Sequence, residues 1–204
     1  KILGKEHFEI GSTLHSIAQI QMYLGQYPQA QQLFEKALRL QEHVLGRNHP
    51  HIAMLLHSIG QSLMFQRQYP QALTSFQQSL SIKKEFLGDT HPEISITLHA
   101  IGQVLSSMQQ YGPALESCQQ ALALLEVSHP DRAVLLLSIG QILERQGNSE
   151  GALPYFYQSL EIKKATLGEN HPQMVADFHA LAQSLRTLGR PQEALEKLHQ
   201  AVQI

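Results

Sequence analysis

Apolar residues recur along this chain at spacings of three and four, and one arrangement of them returns five times. Take Gly11, Ala53, Ser95, Ala133 and Val175 as equivalent starts. The fourth position is then Leu14, Leu56, Leu98, Leu136 and Phe178, and the seventh is Ile17, Ile59, Ile101, Ile139 and Leu181. The eighth is always small: Ala18, Gly60, Gly102, Gly140 and Ala182. Such spacing predicts one face of an amphipathic helix. A second helix follows, with Ala30, Ala72, Ala114, Ala152 and Ala194 at the twentieth position. Four residues on stand Phe34, Phe76, Cys118, Phe156 and Leu198; three further on come Ala37, Ser79, Ala121, Ser159 and Ala201. Small residues let two helices approach closely, and large ones fill the space beside them. The pattern therefore predicts five helical hairpins, ten helices and no strand.

The breaks agree with this reading. His-Pro occurs at His49-Pro50, His91-Pro92, His129-Pro130 and His171-Pro172, and His7-Phe8 sits where a fifth copy falls, at spacings of 42, 42, 38 and 42 residues. Proline is tolerated in a first helical turn, where its missing N–H has no partner to lose, so each His-Pro predicts a helix start. Leu3-Gly4, Leu45-Gly46, Leu87-Gly88 and Leu167-Gly168 precede four of the five copies. The copy at His129 lacks that pair and four residues with it. Four residues are about one helical turn, so the second helix of the third unit, near Ala114 to Glu126, is expected to be one turn shorter. Turn residues separate the two helices of each unit, as in Gly25-Gln26-Tyr27-Pro28 and Gly189-Arg190-Pro191. The repeats fall at about 8–48, 50–90, 92–128, 130–170 and 172–204. A lone hairpin cannot bury its apolar face, so the expectation is a single array over 1–204 with a core continuous from unit to unit. Lys1 stands inside a connector, and no polar capping unit is visible at either end. The array is therefore expected to be a piece of a longer chain.

With five concordant copies, the chain resembles the tetratricopeptide repeat family. Gly25, Ala30, Phe34 and Ala37 stand where that pattern has its small and large residues. The long period and the Leu-Gly-x-x-His-Pro connector are similar to the kinesin-light-chain-like subclass, whose second helix is extended. Two departures stand out: leucine mostly replaces the aromatic often found at the fourth position, and the usual proline near the end of the second helix is absent. The resemblance implies an all-α, right-handed superhelical solenoid of five helix-turn-helix repeats. It also implies a concave groove for a peptide or partner protein, lined by positions two, five, six, nine, twelve and thirteen of each first helix.

Composition narrows the function. The net charge is -2, so there is no basic surplus to release counterions from a nucleic-acid backbone, and nucleic acid is not an expected partner. No apolar run is long enough to span a bilayer, so membrane insertion is not expected either. Cys118 is the one cysteine; it cannot form an internal disulfide and fits a reducing, cytoplasmic setting. No phosphate-cradling glycine loop, Gly-x-Ser-x-Gly or His-Glu-x-x-His is present, so no catalytic residue and no cofactor are expected. His15, His57, His99 and His179 share the fifth position. Successive helices lie roughly 8–10 Å apart, whereas zinc needs donors about 2 Å from one ion, so metal binding is not expected from this row.

Charged residues are only 16% of the chain, and 26 glutamines take their place. Five of these occupy the ninth position without exception: Gln19, Gln61, Gln103, Gln141 and Gln183. The core does not demand glutamine there, because an unpaired amide is costly to bury. Two readings stand. The row is a solvated or inter-repeat hydrogen-bonding ladder, or it pairs with the backbone of an extended peptide, since each amide both donates and accepts. Beside it lie the histidines, interrupted by Leu137. Met22, Tyr23, Met64 and Phe65 supply apolar contact in the first half, and Arg145 and Arg186 supply charge in the second. The lysine and asparagine clamp by which co-chaperone relatives grip a terminal carboxylate is absent, as is a strongly basic groove. These residues form the candidate peptide-binding groove of a non-enzymatic interaction scaffold, of unknown oligomeric state. The alternatives are a regulatory array of a larger signalling or nucleotide-switch protein and, less favoured by the charge, helical-repeat RNA binding.

Overall fold

At Gly60 and Gly140 the first helix of a hairpin carries no side chain, and the ring of Phe76 or Phe156 on the second helix fills the space. This contact sets the spacing of the helices described below. The computed structural model describes residues 2–204, with side chains from His7 onward; the connector expected around Lys1 and Leu3-Gly4 falls outside the described side chains. Among the described residues there are ten α-helices and no strand. The first unit, 1–108, holds α1 (Ile2–Tyr23), α2 (Tyr27–Leu45), α3 (Pro50–Phe65), α4 (Tyr69–Leu87) and α5 (Glu93–Ser107). The second, 109–204, holds α6 (Tyr111–Ala123), α7 (Asp131–Arg145), α8 (Ser149–Leu167), a 3-10 turn (Pro172–Met174), α9 (Val175–Thr187) and α10 (Pro191–Val202). Within the first unit α1 pairs with α2 and α3 with α4, while α2 packs on α3 and α4 on α5. Within the second, α7 pairs with α8 and α9 with α10, while α6 packs on α7 and α8 on α9.

The apolar positions do what their spacing implies. Phe34, Phe76 and Phe156 are fully enclosed. A Cβ placed on Gly60 would lie 2.7 Å from the ring of Phe76, and one on Gly140 would lie 2.3 Å from the ring of Phe156. Both distances are shorter than carbon atoms can share without displacement, so these two glycines serve close approach rather than flexibility. Ser79 and Ser159 donate their hydroxyls to the main-chain oxygens of Ala53 and Ala133, at 2.6 and 2.8 Å, tying each second helix to its own first helix. Ile17 is the exception among the core positions. It is 43% exposed; Ile10 and Ile20 on the same face of α1 are exposed too, and among the described residues no helix packs against that face.

Helices begin at each His-Pro and α6 is shortened, as expected, with three differences in detail. His-Pro does not start a helix in one fixed way: α3 begins at Pro50, α5 and α7 begin one residue after their prolines, and Pro172 opens a 3-10 turn. The constant feature is the histidine. Nδ1 of His49, His91, His129 and His171 accepts the backbone N–H two residues on, at 3.2 to 3.3 Å. Each ring thus caps a helix entry by satisfying an otherwise unpaired N–H. No break precedes α1 near His7, since that helix runs from Ile2 and Phe8 takes the place of the proline. Finally, α6 is 13 residues long against 19 in α2, α4 and α8, a difference larger than the four-residue deletion. Without the Leu-Gly stop, Leu124 and Leu125 close the end in tighter turns.

The hairpin turns share one backbone geometry but not one residue. Gly25, Gly147 and Gly189 have φ of 74°, 85° and 72°; Arg67 and Gln109 hold the same place at 60° and 61°. A side chain there costs about 1–2 kcal/mol, because Cβ crowds the carbonyl oxygen. Arg67→Gly is therefore expected to raise stability by about 0.5–1 kcal/mol after allowing for glycine's looser unfolded state, measured by urea denaturation. Gly140→Ala is expected to do the opposite. In an open helix alanine is better by about 1 kcal/mol, but here the methyl meets an enclosed ring, and a loss of about 1–3 kcal/mol is expected. Gly60→Ala should cost less than Gly140→Ala in the same titration, since its overlap is smaller.

Candidate functional site

Each unit carries a concave pocket built largely from first-helix residues. In the first unit α1, α3, α4 and α5 enclose about 550 Å³. Its wall takes Gln19 from α1, Met54, His57, Ser58 and Gln61 from α3, Lys83, Phe86 and Leu87 from α4, and Glu93 and Ile96 from α5. In the second unit about 630 Å³ is enclosed. Gln141, Glu144 and Arg145 come from α7, and His179, Gln183 and Arg186 come from α9, over a floor of small and apolar groups that includes Ala180, Phe156 and Leu198. The Glu144 carboxylate accepts the Ser184 hydroxyl, which joins α7 to α9 beneath the rim. Arg186 is exposed and forms no ion pair among the described residues. The pocket thus has an apolar floor with guanidinium and amide groups at its mouth.

The structure therefore brings together Gln19, His57 and Gln61 in one pocket, and Gln141, Arg145, His179, Gln183 and Arg186 in the other. All five ninth-position glutamines are exposed, and none makes a side-chain hydrogen bond among the described residues. Among the described residues these amides form no inter-repeat ladder and face outward. His99, Gln103, Met22, Tyr23, Met64 and Phe65 line neither pocket. Tyr23 is 92% exposed, while Phe65 stacks on Tyr27 with ring centres 4.9 Å apart. Position twelve turns further inward than expected in the first unit, where Met22 and Met64 are half-buried and Ser106 is buried, whereas Arg186 at the same position is exposed.

Sequence reasoning missed the apolar wall of the first pocket. Met54, Ile96, Phe86 and Leu87 are large, apolar and 37–53% exposed. The signal was present: position two carries Met54, Ile96 and Val134 off the core face, and Phe86-Leu87 extends the second helix past its last core residue. Among the described residues no three His, Cys, Asp or Glu side chains gather at metal-binding distance. No helix is long and apolar enough to cross a membrane.

The fifth-position histidines differ among themselves. His15 is buried rather than open to the groove; its ring lies 5.4 Å from that of Phe34, and Nε2 is 3.3 Å from the Ser58 hydroxyl. His57 meets Phe76 edge-on at 5.1 Å, with Nδ1 3.4 Å from the Thr97 hydroxyl. His179 is exposed. Burial, helped by the nearby Lys83 ammonium, pushes His57 down to about 4, so it is neutral in the folded chain. In the unfolded chain it takes its proton near 6.5. The unfolded chain thus binds more protons between those values. The contribution is complete above pH 6.5 and is lost as the pH falls towards 4, reaching roughly 3 kcal/mol there. His15, lowered chiefly by burial and then by His51, acts in the same direction. Urea titrations at pH 7 and pH 5 should show the parent losing stability, and His57→Asn should lose about 2 kcal/mol less over the same step.

Comparison with known proteins agrees with this architecture. The sequence profile of the tetratricopeptide repeat matches residues 9–85, 51–126 and 131–204. No curated protein is significantly similar in sequence. Among solved structures, kinesin light chain nearly identical TPR-like repeats from Podosopora anserina are 25% identical, with 93% of this chain and 92% of that one covered and a TM-score of 0.79. BtubC (BKLC) from P. vanneervenii is 14% identical over 95% of this chain and 80% of that one, with a TM-score of 0.81. MamA from Desulfovibrio magneticus RS-1 shares the fold at 16% identity, covering 95% and 93%, with a TM-score of 0.68. Five repeats of one small–large pattern, ten helices in helix-turn-helix packing and a matching profile over most of the length place this chain in the tetratricopeptide repeat family.

Proposed function

We propose that this chain is a non-catalytic protein-interaction module, and that its concave pockets receive an extended peptide segment of a partner protein. The reading is carried by the ninth-position glutamines, which sit at rigid helical positions with no intramolecular hydrogen bond among the described residues. An extended peptide offers alternating N–H and C=O groups, and an amide side chain answers either one. Around these amides each pocket adds a distinct chemistry: apolar walls in the first unit, two arginines over an apolar floor in the second. The solved relatives include kinesin light chain repeats, and the same reading treats this chain as a scaffold of that kind. The single buried thiol of Cys118, pushed up to about 12 by burial, suits a cytoplasmic setting and no redox role.

The test begins with peptides selected from a randomised display library on the immobilised chain. The tightest is then made as a labelled synthetic peptide and titrated by fluorescence anisotropy. Each amide pair contributes about 0.5–1.5 kcal/mol. Gln19→Ala with Gln61→Ala in the first unit, and Gln141→Ala with Gln183→Ala in the second, should each weaken a peptide held in that pocket by roughly fivefold to a hundredfold, with the melting curve unchanged. An unchanged Kd in both folded double variants would assign the glutamines to solvent and the partner to another face.

A further inference from the structure

The cations of the second unit divide by what holds them. Arg132 donates to the main-chain oxygens of Leu122 and Leu125, at 3.0 and 2.9 Å. Lys163, on α8, donates to the Asp177 carboxylate and to the main-chain oxygen of Gln173, the latter at 3.2 Å. Arg190 forks onto the two carboxylate oxygens of Glu193, at 2.6 and 2.7 Å. Arg145 and Arg186 differ from these: both are exposed, and both line the second-unit pocket. They stand on neighbouring first helices, at position thirteen of α7 and position twelve of α9. At those two positions the first unit carries Met22 and Tyr23, Met64 and Phe65, and Ser106 and Ser107, with no charge among them. The first-unit pocket has no arginine; its lysine, Lys83, reaches the main-chain oxygen of Glu93 at 3.5 Å.

One guanidinium saturates a carboxylate, because the two oxygens match a single fork. Arg190 with Glu193 is that pairing within this unit. Two guanidinium groups in one pocket, with the amides of Gln141 and Gln183 beside them, offer more donors than a carboxylate can accept. A phosphomonoester has three terminal oxygens and carries roughly -1.5 to -2 charge at pH 7, so it accepts from both arginines at once. The one carboxylate in the pocket wall, Glu144, is engaged by the Ser184 hydroxyl at the seam between α7 and α9. The floor is alanine-rich. Position two, Met54 and Ile96 in the first unit, is Ala176 in α9, and Ala180 and Ala194 lie near it. About 630 Å³ stays open over these small side chains, within the range that receives a small ligand group.

We propose that the second-unit pocket recognises a phosphorylated serine or threonine within a partner peptide. The phosphate oxygens accept from Arg145 and Arg186, the Gln141 and Gln183 amides hold the backbone beside it, and the alanine floor takes the methylene or methyl group of the modified side chain. Phosphorylation of the partner then governs the interaction. This assignment rests on the peptide-binding reading above and specifies the ligand for one of its pockets.

Arrays of N-acetylated, C-amidated peptides with a central phosphoserine, phosphothreonine, glutamate or serine and varied flanks test it against the full chain, with the best binders quantified by anisotropy. Phosphopeptides should bind about tenfold tighter than matched glutamate peptides, and serine peptides weakest. Arg145→Gln and Arg186→Gln should each reduce the preference and together erase it, with the circular dichroism spectrum unchanged. Arg145→Lys with Arg186→Lys keeps the charge without the forks and should retain only part of it. Glu144→Gln, which leaves an acceptor for Ser184 and removes the opposing charge, should sharpen it. Lys83→Met, in the other unit, should leave it intact. Inorganic phosphate should displace the labelled peptide only at far higher concentration than unlabelled phosphopeptide does. The proposal is overturned if no phosphopeptide binds, if glutamate serves as well as phosphoserine, if the preference survives Arg145→Gln with Arg186→Gln, or if inorganic phosphate competes as well as the phosphopeptide. Equal binding of phosphorylated and unphosphorylated peptides that is lost in Gln141→Ala with Gln183→Ala overturns the phosphate assignment and leaves the peptide-binding reading standing. A phosphate preference that depends on the arginines but not on those glutamines does the reverse.

Discussion

A phenyl ring seated on a position with no side chain, or only a methyl, is the contact on which the rest of this molecule depends. Phe76 over Gly60 and Phe156 over Gly140 fix how closely the two helices of a hairpin run. Phe34 is enclosed in the same way. Interiors pack as densely as organic crystals, so a ring held at this distance admits few alternative registers. Once the register is set, the seventh position faces the neighbouring helix and the ninth faces away. The outward glutamines are therefore a geometric consequence of the inward phenylalanines. Glutamine itself is not such a consequence: nothing in the packing requires an amide rather than any other polar group.

That division explains what was legible in the sequence. Fold class followed from the recurrence of small and large residues, because each copy repeats the same steric demand. Capping was harder. His49, His91, His129 and His171 read as punctuation beside proline, and only the backbone shows Nδ1 accepting an N–H two residues on. His15 and His57 were assigned to an open groove, yet their rings pack against Phe34 and Phe76. Imidazole is amphipathic, and a helical period alone does not say whether its flat face or its nitrogens will be used. The apolar wall of Met54, Phe86 and Ile96 escaped for a related reason. A large apolar residue in an amphipathic helix is normally core, and its exposure depends on how far the neighbouring helix extends.

The departures between copies carry more chemical information than their agreements. Four junctions put four pairs of residues in one place: Gln41 with Leu55, Lys83 with Thr97, Leu125 with Leu135, and Lys163 with Asp177. Leu125 with Leu135 is a buried apolar pair, and Lys163 with Asp177 is a buried ion pair. The first has no polar group to satisfy; in the second Asp177 Oδ2 is paired with the ammonium while its Oδ1 is buried without a hydrogen-bond partner. Gln41 is enclosed and bonded through its amide nitrogen to the Ser12 hydroxyl. Lys83 with Thr97 differs from all three in leaving a charged group half-open to a pocket.

A fold built of nearest-neighbour contacts tolerates such variety, because each junction is stabilised locally and a change in one is not transmitted as misfit to the next. Residues that satisfy a junction completely have nothing left for a ligand. Lys163 is sequestered by Asp177, and no partner molecule reaches its ammonium without first displacing a buried carboxylate, an exchange with little net gain. At Lys83 the scaffold is the same, the backbone acceptor is the same, and only the carboxylate has been exchanged for a hydroxyl. The Lys83 ammonium is therefore met at that junction by the backbone acceptor alone, while the other junctions keep their own internal partners and the frame is unchanged.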